Sequence, residues 1–212
     1  MFTGIVQGIR KISAVEDFGG GRRLRVQLED LAEKLQQGAS VAVNGVCLTA
    51  IKIEVGSAEF DIIQESLDRS NLGTLVIGDS VDIERACYFG DEVGGHQVTG
   101  HIDCTGKINE IRKTPNNRDV VVYCEEEWGN YLIPKGWIAI DGVSLTVVDV
   151  GNNWFSISLI PETLEKTVLG KKTKGDIVNL EFDHTTKVIV RTVERMLPEI
   201  KIQMLEEIKN NK

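Results

Sequence analysis

The chain has 212 residues, 32 of them acidic and 24 basic, which gives a formal net charge of −8 at neutral pH. This acidic balance, with no cluster of basic and aromatic residues, argues against a surface for nucleic acid or for an anionic membrane. No segment approaches the ~18 consecutive apolar residues of a membrane span, and the opening residues lack a signal-peptide pattern. We therefore expect a cytoplasmic protein.

One stretch occurs twice and predicts two copies of one domain. Residues 41–49 (VAVNGVCLT) return as residues 138–146 (IAIDGVSLT), at an offset of 97 that later landmarks keep. A fixed period of this kind indicates a tandem duplication. We expect one domain at residues 1–97 and a second at 98–185, with a glycine-containing linker near 86–98, and a separate segment at 186–212.

Each copy shows the alternation of apolar and polar residues that is typical of short β-strands. Asn44-Gly45 and Asp141-Gly142 each separate two alternating runs, which is the signal of a type I′ hairpin. Six short strands in each copy favour a closed barrel, because closure removes exposed edges. The sequence thus predicts an all-β fold of two tandem, pseudo-symmetric, six-stranded antiparallel β-barrels followed by a C-terminal α-helix. The predicted strands are 5–12, 22–28, 57–63 and 80–85 with one hairpin, and 102–111, 119–124, 154–160 and 177–183 with the other.

The predicted C-terminal helix begins at Thr186, where apolar residues start to recur at steps of three and four. Pro198 is expected to kink or restart it. The apolar stripe packs either on the barrels of its own chain or on helices of other chains. It comprises Val190, Val193, Leu197, Ile200 and Met204.

Each hairpin places two polar side chains on one face of a strand. Cys47 and Thr49 share a face, and Ser144 and Thr146 hold the matching positions. A lone hydroxyl on a strand is ordinarily a surface group, but this pair occurs in both copies. The copies also differ. Cys47 in the first copy corresponds to Ser144 in the second, and Asp183 in the second copy corresponds to Ala86 in the first. Two similar sites with unequal polar groups suit a reaction between two similar molecules.

Other polar residues have an ordinary structural reading beside a functional one. The pairs Glu65-Ser66 and Glu162-Thr163 are typical of helix caps, although the free N–H groups of such a turn could instead hold the polar edge of a planar ligand. A single histidine such as His101 is more often structural than catalytic. The four cysteines lack metal-ligand spacing, which predicts free thiols and no metal site.

Five segments together resemble the riboflavin synthase family, of the type built from two lumazine-binding repeats. They are MFTGIVQG at residues 1–8, NGVCLT at 44–49, GGHQVTGHI at 94–102, IDGVSLT at 140–146 and LIPETL at 159–164. The resemblance extends from residue 1 to about residue 197. It implies a homotrimer held by the C-terminal helices, with each active site between the N-terminal barrel of one subunit and the C-terminal barrel of the next. It leaves open an association with lumazine synthase.

The resemblance implies the dismutation of two 6,7-dimethyl-8-ribityllumazine molecules with no metal or organic cofactor. Cys47, His101 and Ser144 are the implied groups for proton handling, and Phe2 is an implied aromatic neighbour of the rings. The implied N-terminal site comprises Gly4, Ile5, Val6, Ser40, Cys47, Leu48, Thr49, Asp61, Ile62, Ile63, Gln64, Glu65, Ser66, Gly100, His101 and Ile102. The implied C-terminal site comprises Lys135, Ser144, Leu145, Thr146, Ile160, Pro161, Glu162, Thr163, Leu164, Glu165 and Asp183. Asp61 is expected to hold ribityl hydroxyls, and the turns at Ser66 and Thr163 the pyrimidine edge.

Two alternatives belong to other classes of function. Lumazine proteins resemble this family, but they bind one chromophore and catalyse nothing, so they need no working second site. Here the second copy keeps Ser144, Thr146 and Asp183, which favours the enzyme. A purely structural two-barrel module would leave the matched polar pairs unexplained.

Overall fold

The computed structural model describes residues 1–114 and 117–210, with side chains described as far as residue 203. Over this range the chain forms twelve strands in two closed antiparallel barrels, followed by one long helix. The predicted fold class is confirmed. None of the helices in the described part is long and apolar enough to span a membrane.

The two barrels share one strand order. In the first barrel the order is β1-β2-β5-β4-β3-β6, and the second repeats it with β7 to β12. Apolar residues of alternate strand positions fill each interior, and Leu24, Phe60, Phe155 and Leu180 are fully buried there. The strands of the first barrel are β1 (Gly8–Phe18), β2 (Gly21–Gln27), β3 (Ser40–Val43), β4 (Val46–Glu54), β5 (Ser57–Ile63) and β6 (Ser80–Arg85). Those of the second are β7 (Cys104–Lys113), β8 (Arg118–Tyr123), β9 (Trp137–Ile140), β10 (Val143–Val150), β11 (Trp154–Leu159) and β12 (Ile177–Phe182).

The two predicted hairpin turns are present, and they face each other at the junction of the barrels. Asn44 and Gly45 have φ values of 45° and 79°, and Asp141 and Gly142 have 46° and 87°. Positive φ at both central residues is the requirement of a type I′ turn. A Cβ atom on Gly45 would lie 2.5 Å from the backbone nitrogen of Gly142, so the two turns are in direct backbone contact.

Buried amides and carboxyls tie the junction together around these turns. Asn71 Nδ2 donates to Asp141 Oδ1 at 2.9 Å, and Asn179 Nδ2 donates to the carbonyl of Asn44 at 2.8 Å. Asp82 Oδ1 accepts a hydrogen bond from the backbone N–H of Val168 at 2.9 Å. These bonds join strands and loops of opposite barrels, so they fix how one barrel sits on the other.

A short helix follows the fifth strand of each barrel: α1 (Gln64–Arg69) and α2 (Pro161–Lys166). The prediction that a nearby hydroxyl or carboxylate caps these helices is wrong. The cap positions are Ile63 and Ile160, and neither of these two described helices has a side-chain cap hydrogen bond. Their first N–H groups therefore lack the capping oxygen that the sequence pattern predicted.

The glutamates of these helices form ion pairs within one turn. Glu65 pairs with Arg69 at 2.5 Å, and Glu162 pairs with Lys166 at 2.6 Å. All four side chains are exposed, so each pair contributes little to stability. Turns of 3₁₀ helix lie at Glu29–Ala32, Asn71–Thr74, Glu126–Tyr131 and Val168–Gly170.

The C-terminal helix α3 spans His184–Asn210 and continues through Pro198 without restarting. Asp183 caps its first turn, because Asp183 Oδ1 accepts from the backbone N–H of Thr186 at 2.7 Å. Its beginning touches the barrels, where Val190 packs against the core of the second barrel. The stripe residues Val193, Leu197 and Ile200 are 42–53% exposed, and the side chain of Met204 lies outside the described residues.

Candidate active site

The opening segment of the chain runs along the junction between the barrels. Phe2 and Val98 form an antiparallel bridge, with N···O distances of 2.8 and 3.0 Å. Beside this bridge, Glu84 of β6 accepts hydrogen bonds from the backbone N–H groups of Thr3 and Gly4 at 2.6 and 3.1 Å. A carboxylate thus holds the Thr-Gly dipeptide at the edge of the first barrel.

A second Thr-Gly dipeptide repeats this arrangement at the edge of the second barrel. Glu181 of β12 accepts from the backbone N–H groups of Thr99 and Gly100 at 2.7 and 2.9 Å. We call residues 2–6 and 98–102 the crossing segments, because each contacts the opposite barrel through its glycine carbonyl. Gly4 accepts from the N–H of Ser144 at 2.8 Å, and Gly100 accepts from the N–H of Cys47 at 2.9 Å.

Both glycines are required by this contact. Gly4 and Gly100 have φ values of 75° and 80°, in the region that favours glycine. A Cβ atom on either one would lie 2.5 Å from the Cβ atom of the polar residue that it faces, Ser144 or Cys47. The two crossing segments therefore build two pseudo-symmetric half-sites, one at Cys47 in the first barrel and one at Ser144 in the second.

The first half-site is a recess of about 430 Å³ at Cys47. Ser66 of α1 and His101 of the crossing segment lie on its wall, together with Lys187 and Arg191 of α3. Lys187 Nζ binds both carboxylate oxygens of Asp103, at 2.7 and 2.9 Å. Arg191 lies with its guanidinium 6.0 Å from the ring centroid of Tyr131. The recess therefore combines a thiol, an imidazole, three cationic side chains and two carboxylates, a set that can bind a polar ring system.

The second half-site holds Ser144 against an imidazole. His96 Nδ1 lies 2.6 Å from Ser144 Oγ, and the backbone N–H of His96 donates to the carbonyl of Thr3 at 3.1 Å. The His96 ring stacks on the ring of Trp137, with centroids 5.6 Å apart and planes inclined by 12°. Burial lowers the pKa of His96, and the charge of Asp183 partly opposes this shift. The imidazole is therefore neutral at neutral pH.

The strand alternation predicted at the two hairpins is present. Cys47 and Ser144 are half-buried, and Thr49 and Thr146 on the same faces are exposed. The side chains of Leu48 and Leu145 point into the barrel cores. These two leucines can offer only backbone groups to a ligand.

Three residues assigned by resemblance have other contacts in the structure. Phe2 is 1% exposed and packs between the barrels beneath Cys47, so within one chain its ring does not face a ligand. Ile62 is part of the first core. Asp61 binds the guanidinium of Arg23 through both oxygens, at 2.7 and 2.9 Å, and this partner lowers the pKa of Asp61.

The crossing segments change how the expected residues are grouped. The resemblance implies Gly4 and Val6 in the N-terminal site, but the carbonyl of Gly4 contacts Ser144, and Val6 packs on the core of the second barrel. Conversely, Ile102 packs on the core of the first barrel, beside His101. His101 therefore lies with Cys47, and the imidazole beside Ser144 is that of His96.

The remaining assigned residues lie around these two centres. Ser40 pairs with Thr49 in the β3–β4 register. Lys135 is exposed with a φ of 67°, and its N–H donates to the carbonyl of Val147 at 2.9 Å. Thr163 and Leu164 of α2 are half-buried, and Ile5 is exposed beside the Ser144 half-site. The assigned residues that are exposed on the two short helices, or just before them, are Ile63, Gln64, Glu65, Ile160, Pro161, Glu162 and Glu165.

Comparison with known proteins agrees with this arrangement of two matched sites. The lumazine binding domain family matches residues 3–86 and again 99–183. Riboflavin synthase of Escherichia coli (strain K12) is 45% identical over 199 residues, which cover 93% of this chain and 93% of that protein. The chain belongs to the riboflavin synthase family. Membership in the riboflavin synthase family makes it an enzyme of riboflavin biosynthesis.

Solved structures share the fold. LumP complexed with riboflavin has a TM-score of 0.81 at 25% identity, covering 87% of this chain and 100% of that one. LumP complexed with 6,7-dimethyl-8-(1'-D-ribityl) lumazine has a TM-score of 0.79 with the same identity and coverage. The enzyme from E. coli is much more similar in sequence than LumP, which supports the riboflavin synthase assignment over a binding protein.

Sequence reasoning missed several residues of this candidate site. Lys187, Arg191 and Arg69 reach the Cys47 recess from helices, and His96 and Trp137 complete the Ser144 half-site. The Thr-Gly dipeptide is repeated at residues 3–4 and 99–100, at an offset of 96 instead of 97. That offset pairs Gly4 with Gly100, but no pattern in the sequence marks His96 or Trp137.

Proposed function

We propose that the chain catalyses the dismutation of two molecules of 6,7-dimethyl-8-ribityllumazine to riboflavin and 5-amino-6-(D-ribitylamino)uracil. One substrate donates a four-carbon unit and the other accepts it. The observation that carries this proposal is the pair of half-sites built alike by the crossing segments, with Cys47 in one and Ser144 in the other. Two sites with the same backbone arrangement but different polar side chains can bind one molecule as the donor and the other as the acceptor.

The protein's main contribution in this proposal is orientation. A proton leaves the 7-methyl group of one substrate because its ring delocalises the resulting carbanion, so no metal or organic cofactor is invoked. Holding two rings in a reactive arrangement can lower a barrier by about 7–11 kcal/mol. His101 and Cys47 share one recess, and an imidazole titrates in the range useful for moving this proton.

We infer that the two rings meet where half-sites of different subunits face each other. The Cys47 recess is lined by residues of the first barrel, the second crossing segment and α3, and Ser144 is not on its wall. We propose a homotrimer in which the Cys47 half-site of one subunit closes on the Ser144 half-site of the next. The four cysteines, all within the described residues, carry free thiols, which fits a reducing compartment such as the cytoplasm.

The proposed function is tested by the reaction itself. The purified chain, with no added cofactor, is expected to convert the lumazine to riboflavin at half the moles of lumazine consumed. Cys47→Ala is expected to lower kcat roughly 100-fold, the lower end for loss of a group that assists proton transfer. Cys87→Ala is the matched control, because Cys87 lies in the linker with its thiol 3.3 Å from the carbonyl of Met1, and it is expected to keep the wild-type rate. Binding of the lumazine with an unchanged spectrum and no riboflavin would refute the enzyme and support a binding protein.

The exposed stripe of α3 predicts the assembly. Val193→Gln with Leu197→Gln is expected to dissociate the trimer, because these side chains are 49% and 53% exposed in one chain and need a partner to cover them. Arg195→Gln with Glu199→Gln is the control on the same helix. Sedimentation should give three times the 23.5 kDa chain mass for wild type and control, and a lower mass for the stripe variant. A stripe variant that keeps the wild-type mass would rule out assembly through α3.

A further inference from the structure

We propose that Lys187 is a positioning residue, which holds His101 in the Cys47 half-site through an ion pair with Asp103. This inference rests on the proposed dismutation, in which His101 helps to move the substrate proton. Its basis is the place of Lys187 Nζ, 2.7 and 2.9 Å from the two carboxylate oxygens of Asp103. Asp103 directly follows the second crossing segment, two residues after His101. Lys187 therefore acts on the substrate through Asp103 and His101.

The crossing segment that carries His101 is fastened on both sides of this residue. On one side, the carbonyl of Gly100 accepts from the backbone N–H of Cys47 at 2.9 Å. On the other side, Asp103 Oδ2 accepts from the backbone N–H of Phe182 at 2.9 Å. Because the His101 side chain is exposed, its place in the recess depends on these two attachments of the backbone.

The first crossing segment shows what the charge at position 103 adds. Gln7 directly follows that segment and corresponds to Asp103 at the offset of 96. Gln7 Oε1 accepts from the backbone N–H of Arg85 at 2.9 Å, and Arg85 corresponds to Phe182 at the offset of 97. A neutral amide therefore suffices for the bond to the last strand of the barrel. The negative charge at position 103 serves another partner.

That partner is Lys187. The side chains of Asp103 and Lys187 are 13% and 14% exposed, so each charge is largely removed from water and needs the other. The residue that corresponds to His101 in the first crossing segment is Ile5. The copy with the imidazole is thus the copy with the ion pair.

The cation is itself held by the fold. Lys187 lies in the first turn of α3, where Asp183 Oδ1 accepts from the backbone N–H of Thr186 at 2.7 Å and from its hydroxyl at 2.8 Å. One turn later, Val190 packs on the core of the second barrel. Lys187 therefore extends from a capped and packed helix start, and it attaches the His101 segment to that helix.

The test removes the cation and keeps most of the aliphatic side chain. Lys187→Met is expected to lower kcat about tenfold, less than the roughly 100-fold loss that a misplacement of about 1 Å can cause. The reason is that an unpaired carboxylate at position 103 moves towards water and shifts His101. Lys187→Arg keeps the cation and is expected to restore most of the rate. Lys52→Met is the matched control, because its 2.6 Å ion pair with Glu54 is exposed, and it is expected to keep the wild-type rate.

Histidine NMR separates positioning from a general loss of structure. The chain has three histidines, so isotope-labelled histidine gives three ring signals, and His101→Gln identifies that of His101. Lys187→Met is expected to shift the His101 signal and to leave the His96 signal in place. This measurement needs neither substrate nor turnover.

A double-mutant cycle gives the kinetic counterpart. In a His101→Gln background, Lys187→Met is expected to lower kcat no further, while its effect on urea unfolding stays the same as in the wild-type background. An unshifted His101 signal, or a loss in kcat that keeps its full size without the imidazole, overturns the proposal. Absence of turnover by the wild-type chain would instead refute the proposed function, and the His101 signal would still decide whether Lys187 positions this residue.

Discussion

Gly45→Ala is expected to destabilise the protein by about 2–5 kcal/mol, the sum of a left-handed backbone strain and an overpacked contact. Gly45 has a φ of 79°, and a Cβ atom there would lie 2.5 Å from the nitrogen and 2.9 Å from the Cα atom of Gly142. The neighbour is backbone of the opposite turn, so it cannot rotate away. The measurement is the free energy of unfolding in urea at fixed protein concentration.

A matched substitution at Gly78 separates the backbone strain from the overpacked contact. Gly78 has a φ of 95°, but a Cβ atom there would meet nothing within 4 Å. Gly78→Ala should therefore cost only the backbone strain, about 1–2 kcal/mol. Equal losses in the two variants would mean that the contact between the turns carries no energy. A larger loss at Gly45 would show that the junction of the barrels is close-packed in solution.

The turns at this junction were predictable, because their residue types alone indicate positive φ at both central positions. Asn-Gly and Asp-Gly between alternating runs predict a type I′ hairpin without any tertiary information. The closing strand β6 was also predicted with its observed bounds, Ser80–Arg85. What no local pattern specifies is that the two turns meet, since this contact joins residues 97 positions apart.

The crossing segments show where sequence reasoning failed. The first strand was expected from residue 5, but β1 begins at Gly8, because residues 2–6 run along the junction, where Gly4 and Val6 contact the second barrel. A strand within a barrel and an extended segment between barrels show the same alternation of apolar and polar residues. The repeat offset also changes from 97 to 96 in these segments, and a slip of one residue moves each side chain to the opposite face. Gly4 is consequently predicted beside Cys47, whereas its carbonyl contacts Ser144.

The polar groups of the site were only partly predictable for a related reason. Cys47 and Ser144 stood out because the repeat keeps their positions. His96 is a single histidine, and its partner Ser144 lies 48 positions away, on a strand of the opposite barrel. Neither spacing nor periodicity records a contact of that kind. The basic residues of α3 at the Cys47 recess were unpredictable for the same reason. The periodicity of a helix shows which residues share a face, but not which barrel that face approaches.

Asp82→Asn is expected to stabilise the protein, by an amount that increases with pH. Asp82 is 1% exposed, and within the described residues its Oδ2 has no hydrogen-bond partner. Burial raises the pKa of Asp82 well above its ordinary value, and the nearby charge of Asp141 adds to this shift, while the Val168 N–H and Lys172 oppose it. The residue therefore tends to hold a proton in the folded protein.

The internal repeat predicts which acceptor the proton on Asp82 is donated to. The counterpart of Asp82 at the offset of 97 is Asn179, whose Nδ2 donates to the carbonyl of Asn44 at 2.8 Å. The counterpart of Asn44 is Asp141. An acceptor carbonyl is thus expected opposite Asp82 Oδ2, where a protonated carboxyl can donate and an ionised one is repelled. An asparagine at position 82 supplies the same donor at every pH.

The sign of the pH dependence follows from the raised pKa. The wild-type interaction is fully present below the unfolded carboxyl pKa of about 3.9 and weakens by about 1.4 kcal/mol per pH unit as pH rises towards the folded pKa. Asp82→Asn removes this loss, so variant and wild type should be similar near pH 4 and diverge above it. The measurement is urea unfolding from pH 4 to pH 9 at fixed protein concentration and ionic strength.

The mirror substitution provides the control. Asn179→Asp places a carboxylate oxygen where Nδ2 now donates to the carbonyl of Asn44 and to Oδ1 of Asn71. This variant should be destabilised, and its deficit should grow with pH, because two acceptors would face a new charge in a buried site. A benefit from Asp82→Asn that stays constant with pH would show that Asp82 is ionised in both states. Opposite and pH-dependent effects at the two positions would show that the junction needs one neutral donor from each barrel.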